Sequence, residues 1–97
     1  MADADVIVVG AGHNGLICAS YLARAGFDTL VLESRPTVGG CSSTVSALGA
    51  RFNICSCEHS VIRAMDVIDD LDLTAHGLHY LEADANSVNV FYDDSEP

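Results

Sequence analysis

The chain has 97 residues, 49% of them hydrophobic, with 14 acidic side chains against four arginines and no lysine, a formal net charge of −10. That length allows one small domain, and the apolar fraction marks a folding sequence rather than a disordered tail. The acidic balance argues against nucleic acid or an anionic membrane surface as partner, since both need a basic face. The start, Met1-Ala-Asp-Ala-Asp5, lacks the basic run of a signal peptide, and no apolar run nears the ~20 residues of a membrane span. Cys18, Cys41, Cys55 and Cys57 show no disulfide-framework spacing, so a reduced, cytoplasmic setting is expected.

The first element is a short buried strand over 5–9 that runs into a glycine loop. Gly10, Gly12 and Gly15 have the G-x-G-x-x-G spacing of a dinucleotide site. Gly10 permits the tight turn off the strand. Gly12 lets a pyrophosphate approach the backbone, and Gly15 lets the next helix pack closely on the strand. His13 and Asn14 lie inside the loop, where the N–H of His13 matters more than its ring. A half-buried helix over 14–25 follows, with Gly26 as its stop. Its start offers unpaired N–H groups and the positive dipole end to phosphate. A second strand, parallel to the first, spans 29–33. Glu33 closes it, near the ~20 residues beyond the loop at which a carboxylate accepts hydrogen bonds from an adenosine ribose. A glycine loop alone is a weak signal; strand, loop, helix, strand and acid in order make a Rossmann-like βαβ unit of the α/β class.

Residues 34–40 read as a loop punctuated by Pro36 and the Gly39-Gly40 pair. Residues 41–48 read as extended, Gly49 as a turn, and 50–55 as the returning arm of a hairpin. A helix is expected over 58–71, because Val61, Met65 and Ile68 recur at helical spacing. Asp69, Asp70 and Asp72 would then sit at its C-terminal end, against the macrodipole, as a solvated face. Two strands, 77–83 and 87–92, are expected around an Asp84-Ala-Asn86 turn.

Cys55, Cys57 and His59 invite a metal reading, but zinc sites need a fourth ligand and longer spacing. No metal is expected, and these read as packing or loop residues near a cofactor. A covalent cofactor link through Cys41, Cys55, Cys57 or His59 is the minor alternative. His76 and His79 read as surface or packing residues. No nucleophile–base pair follows from spacing, so the catalytic residues stay unassigned.

Glu33-Ser-Arg-Pro-Thr-Val-Gly-Gly40 resembles an extended FAD fingerprint, in which the ribose-binding acid is followed by an arginine and a Gly-Gly pair. With Gly10, Gly12, Gly15, Ala19, Leu22 and Gly26, the stretch is similar to the N-terminal signature of the FAD-dependent amine oxidase and phytoene desaturase superfamily. Gly49-Ala-Arg-Phe-Asn-Ile-Cys-Ser-Cys-Glu-His-Ser60 resembles the segment after Gly-Gly in phytoene-dehydrogenase-like members. Cys41 stands where many amine oxidases carry arginine, which turns the resemblance toward the phytoene-desaturase branch.

The resemblance implies the N-terminal part of a two-domain flavoprotein with FAD as cofactor. Gly10, Gly12, His13, Asn14 and Gly15 would line the pyrophosphate. Glu33 would meet the ribose, Arg35 the neighbouring ribose–phosphate region, and Gly39 and Gly40 would let backbone pass near the cofactor, with Ser34 and Cys41 as further cofactor-binding residues. Residues 1–40 would be the ADP-binding βαβ unit, 41–76 the extended segment and helix after Gly-Gly, and 77–97 the start of a substrate-domain hairpin. Such a family needs several hundred residues. The chain is therefore expected to be a subunit, processed fragment or truncation that works with further polypeptide. Its reaction would be hydride transfer from a polyene, an amine or another hydrophobic substrate to flavin. The alternative from another class is a non-catalytic NAD- or ADP-binding module. Arg35 with Gly39-Gly40 discriminates between them, because nicotinamide sites do not need these residues.

Overall fold

Strands β1 (Val6–Val9) and β2 (Thr29–Leu32) pair in parallel, with Val6 opposite Thr29 and Val9 opposite Leu32. The structure is a computed structural model and describes residues 3–56, 58–82 and 84. The pairing continues past both strand ends. The Asp5 N–H donates to the Asp28 carbonyl at 2.8 Å, and the Gly10 N–H to the Leu32 carbonyl at 2.7 Å. Helix α1 (His13–Arg24) crosses between the strands, as the sequence led us to expect within a residue at each end.

The end of α1 is fixed by its glycine. Gly26 has φ +95°, a conformation that a Cβ would oppose. It donates to the Ala23 carbonyl at 3.0 Å, while Phe27 donates to the Leu22 carbonyl at 3.2 Å. This pair of bonds is a Schellman motif, which satisfies carbonyls that the helix leaves open.

Alternation divides the small sheet into two faces. Val6, Val8, Thr29 and Val31 are half-buried, and Val8 lies against the helix at Gly15. Ile7, Val9, Leu30 and Leu32 point the other way and are 57%, 83%, 43% and 47% exposed. Both faces are apolar, the composition of a parallel strand pair covered on both sides. Among the described residues α1 covers one of them, and the other stays largely exposed. Among the described residues the buried apolar side chains are Ala11, Ala19 and Val67, and no large side chain is fully enclosed.

A 3-10 turn, Gly40–Ser42, leads into an antiparallel hairpin of β3 (Thr44–Ala47) and β4 (Ala50–Asn53). The sequence anticipates this hairpin. The turn holds Leu48 at φ +51° and Gly49 at φ +76°. Two successive left-handed residues form the mirror-image turn that suits the twist of a tight hairpin.

The helix expected over 58–71 is broken. It appears as α2 (Ser60–Arg63) and α3 (Val67–Asp70). At the break the Ala64 N–H is shared between the carbonyls of Ser60 and Val61, and Met65 bonds back only three residues, to Ile62. The helix tightens and stops there. The Val61–Met65–Ile68 stripe therefore does not form: Val61 is 74% and Met65 56% exposed, and Val67 is the buried residue. Asp69 and Asp70 are correspondingly not at the C-terminal end of a long helix. They are the last two residues of the single-turn α3, where the helix dipole is slight, and both are exposed.

Residues 77–82 form no strand. Gly77, at φ +96°, closes a series of turns, and Leu78 donates back to the Leu73 carbonyl at 3.0 Å. The second expected strand, 87–92, lies outside the described residues.

Candidate functional site

The three loop glycines are glycines for three different reasons. Gly10 needs its φ of +101°, although a Cβ there would meet open space. Gly15 needs room: a Cβ would stand 2.0 Å from the Gly10 carbonyl oxygen and 3.1 Å from its carbon. Gly12 needs neither. It is the N-cap of α1 with φ −71° and ψ 175°, ordinary extended backbone, and its Cβ would meet only the Gly40 Cα, at 4.0 Å. Among the described residues no neighbour would oppose a Cβ at that position. No side chain caps α1, and its first turn carries no acid. The first N–H groups of a helix have no intrahelical acceptor, so they stand open to an anion beside Gly12.

Glu33 follows directly on β2 and reaches back to this loop. Its Oε2 accepts the Ala11 N–H at 2.8 Å, and its Oε1 accepts the Arg35 N–H at 2.9 Å and the Ser34 hydroxyl at 3.4 Å. These donors, the Arg35 amide foremost and then that of Ala11, hold the carboxyl below its ordinary pKa. Glu33 is thus an anion with settled geometry.

The Gly39–Gly40 pair closes against the same loop. The Gly39 N–H donates to the Ala11 carbonyl at 2.7 Å, and Gly12 and Gly39 form an isolated parallel bridge. Gly39 and Gly40 have φ of +110° and +56°, and a Cβ on Gly40 would press to 3.0 Å from the Gly12 Cα. Arg35 extends over this turn, its guanidinium donating to the Gly40 carbonyl at 3.4 Å. Ser43, which sequence reasoning missed, anchors the turn from beneath. It is buried, and its hydroxyl donates to the Val38 carbonyl at 3.2 Å. A serine among serines and threonines offered no signal of that role.

Gly10, Gly12, Gly15, Glu33, Ser34, Arg35, Gly39 and Gly40 therefore gather at one end of the sheet. His13 and Asn14 open α1 with exposed side chains. Both line a cleft of about 320 Å³, together with Val61, Ile62, Met65 and Val67. Cys41 is exposed on the 3-10 turn, and its carbonyl accepts the Ser56 N–H at 3.1 Å. His59 Nε2 lies 3.0 Å from the Ser56 hydroxyl. Cys57, part of the Cys-x-Cys-x-His pattern, lies outside the described residues, among which no group of side chains could hold a metal ion. A second contact that the sequence did not show joins the helices: the Tyr21 hydroxyl donates to Asp70 Oδ2 at 2.6 Å, which raises the tyrosine pKa.

The strand–loop–helix–strand order and a matched family model agree. The model, described as an NAD(P)-binding Rossmann-like domain, matches residues 8–94. The chain belongs to that family. Within this Rossmann-like domain, similarity extends to several much longer proteins. A limonene dehydrogenase subunit of Castellaniella defragrans is 42% identical over 80 residues, which is 82% of this chain and 15% of that protein. Mouse pyridine nucleotide-disulfide oxidoreductase domain-containing protein 2 is 43% identical over 75 residues, 76% of this chain and 13% of that protein. Thiamine thiazole synthase of Archaeoglobus fulgidus is 42% identical over 84 residues, 84% of this chain and 27% of that protein. The chain thus spans a small part of the length of the relatives it matches. Among the described residues no helix is long and apolar enough to cross a membrane.

Proposed function

We propose that this chain supplies the ADP-binding part of an FAD-dependent oxidoreductase. The observation that carries the reading is Gly12. It is the one loop glycine whose lack of a side chain is explained neither by its own φ nor by its neighbours. A pyrophosphate lying on the uncapped start of α1 supplies the missing reason. Gly10, His13, Asn14 and Gly15 complete the loop around it. Glu33, already anionic, would accept a hydrogen bond from the adenosine ribose through Oε2, with Ser34 beside it.

FAD rather than NAD is favoured by what surrounds the loop. Arg35 places a guanidinium over the turn that packs on Gly12, where it suits phosphate oxygens. Gly39 and Gly40 bring backbone close to the same point, and Cys41 follows at the edge. The match of these residues to a phytoene-dehydrogenase-like fingerprint, noted from the sequence, agrees with this choice. FAD would supply hydride acceptance from a C–H or C–N bond, while the protein binds and orients it. The substrate class is a hydrophobic organic molecule, and no catalytic base is assigned to this chain.

Further polypeptide is part of the proposal. The bare face of Ile7, Val9, Leu30 and Leu32, the sparse core and the much greater length of the relatives all point that way. Activity would therefore belong to the assembled protein, in a reduced cytoplasmic setting that fits the free Cys18, Cys41 and Cys55. Purified with whatever polypeptide accompanies it, the protein should carry flavin absorbance. A folded, colourless assembly that also refuses added FAD would refute the reading.

A second reading is a nicotinamide-nucleotide or ADP module without catalysis. The matched family description, NAD(P)-binding, favours it. Preferential retention of NAD by the same assembly would select it.

A further inference from the structure

The geometry points to Glu33 as a positioning residue that holds the glycine loop in its anion-receiving shape before any ligand arrives. This rests on the proposed dinucleotide site and goes beyond the ribose contact assigned there. Ala11 is 1% exposed, so its N–H has no access to water. Its acceptor is Glu33 Oε2, at 2.8 Å. A buried donor stripped of its acceptor is destabilising, and the loop would have to move to satisfy it.

The next carbonyl along, that of Ala11, accepts the Gly39 N–H. Through one residue, the Glu33 carboxylate is thereby tied to both halves of the site, the loop at Gly10–Gly12 and the Gly39–Gly40 turn. The other carboxylate oxygen is fixed by the Arg35 N–H and the Ser34 hydroxyl, which locks the side chain toward the loop. A residue used only for ribose recognition would need no such bonds in the protein alone. The arrangement still leaves one acceptor position, on Oε2, since each carboxylate oxygen can take two donors and Oε1 already has both.

A probe without ribose separates the two roles. Inorganic pyrophosphate and ADP would be titrated into the flavin-free assembled protein and into its Glu33→Ala and Glu33→Asp variants. Hydrogen exchange at the Ala11 amide would be followed without ligand. If Glu33 positions the loop, Ala11 exchanges faster in both variants, and pyrophosphate binds about tenfold more weakly to each, the loss of one hydrogen bond to a charged acceptor. Simple electrostatics predicts the opposite for Glu33→Ala, because removing a negative charge should tighten pyrophosphate binding. Glu33→Asp keeps the charge while shortening the reach, and it decides the matter should Glu33→Ala not fold. Unchanged Ala11 exchange, with pyrophosphate affinity equal or improved and only ADP weakened, would overturn the inference. A wild-type protein that binds neither probe would remove the dinucleotide site itself, and Ala11 exchange would still report on the loop.

Discussion

Gly12 and Gly15 are three residues apart in one motif, yet they should fail in different ways. At Gly12 a Cβ meets nothing nearer than the Gly40 Cα at 4.0 Å, so Gly12→Ala should keep the fold, and Gly12→Val, whose branch extends toward the anion position, should lose FAD retention. Gly15→Ala drives a methyl group into the Gly10 carbonyl and should destabilise the protein by roughly 1–3 kcal/mol, as overpacking does. Denaturation midpoints and flavin content of these variants check this together. Glu33 adds a pH signature. Its pKa is lowered in the folded state by the Arg35 and Ala11 amides, so the unfolded chain binds the proton more readily. The stabilisation is complete above the ordinary carboxylate value of about 4.3 and is lost as pH falls through the lower folded value. Thermal melts of wild type and Glu33→Gln across that window should converge as the medium becomes more acidic. The glycine spacing and the acid could be read in the sequence because each motif position has a fixed geometric job. That Glu33 bonds the loop itself, and that Ser43 anchors the Gly-Gly turn, could not be read, since both depend on contacts between distant segments.

At the scale of elements, the βαβ unit was legible because its signals agree: apolar runs of strand length, a glycine stop and a helix pattern between. The 58–71 segment was not. Its apolar spacing suits a helix, but periodicity does not register the tightening at Ala64 and Met65 that turns Val67 inward in place of the expected stripe. Gly49 marks the hairpin turn in the sequence, whereas its partner there, Leu48, has the residue type of a strand. Leu48 is left-handed and 98% exposed, so it carries backbone strain with no packing in return. Leu48→Asn should stabilise the hairpin by up to about 1 kcal/mol, because asparagine adopts that conformation more readily. Urea denaturation of the two proteins measures the difference, and a loss of stability would show that the turn is not the mirror-image type.

For the molecule as a whole, the open question of cover dominates. Among the described residues, a parallel strand pair with one largely exposed apolar face and a core of small residues is poorly equipped to stand alone. The 97-residue chain expressed by itself should self-associate, as followed by native mass and light scattering. Val9→Glu, on the most exposed residue of that face, should suppress the association and also prevent assembly with the completing polypeptide. A cooperatively folded monomer, unaffected by this change, would show that the face needs no partner.

Dinucleotide recognition by the glycine loop is tested most directly by calorimetric titration of FAD, NAD and ADP into the assembled protein after its bound flavin has been removed, with Gly12→Val as control. FAD should bind most tightly, ADP should bind more weakly at the same site and compete with it, and the variant should bind neither. Equal affinity in Gly12→Val and wild type, or no binding of any of the three to a folded assembly, would contradict the site.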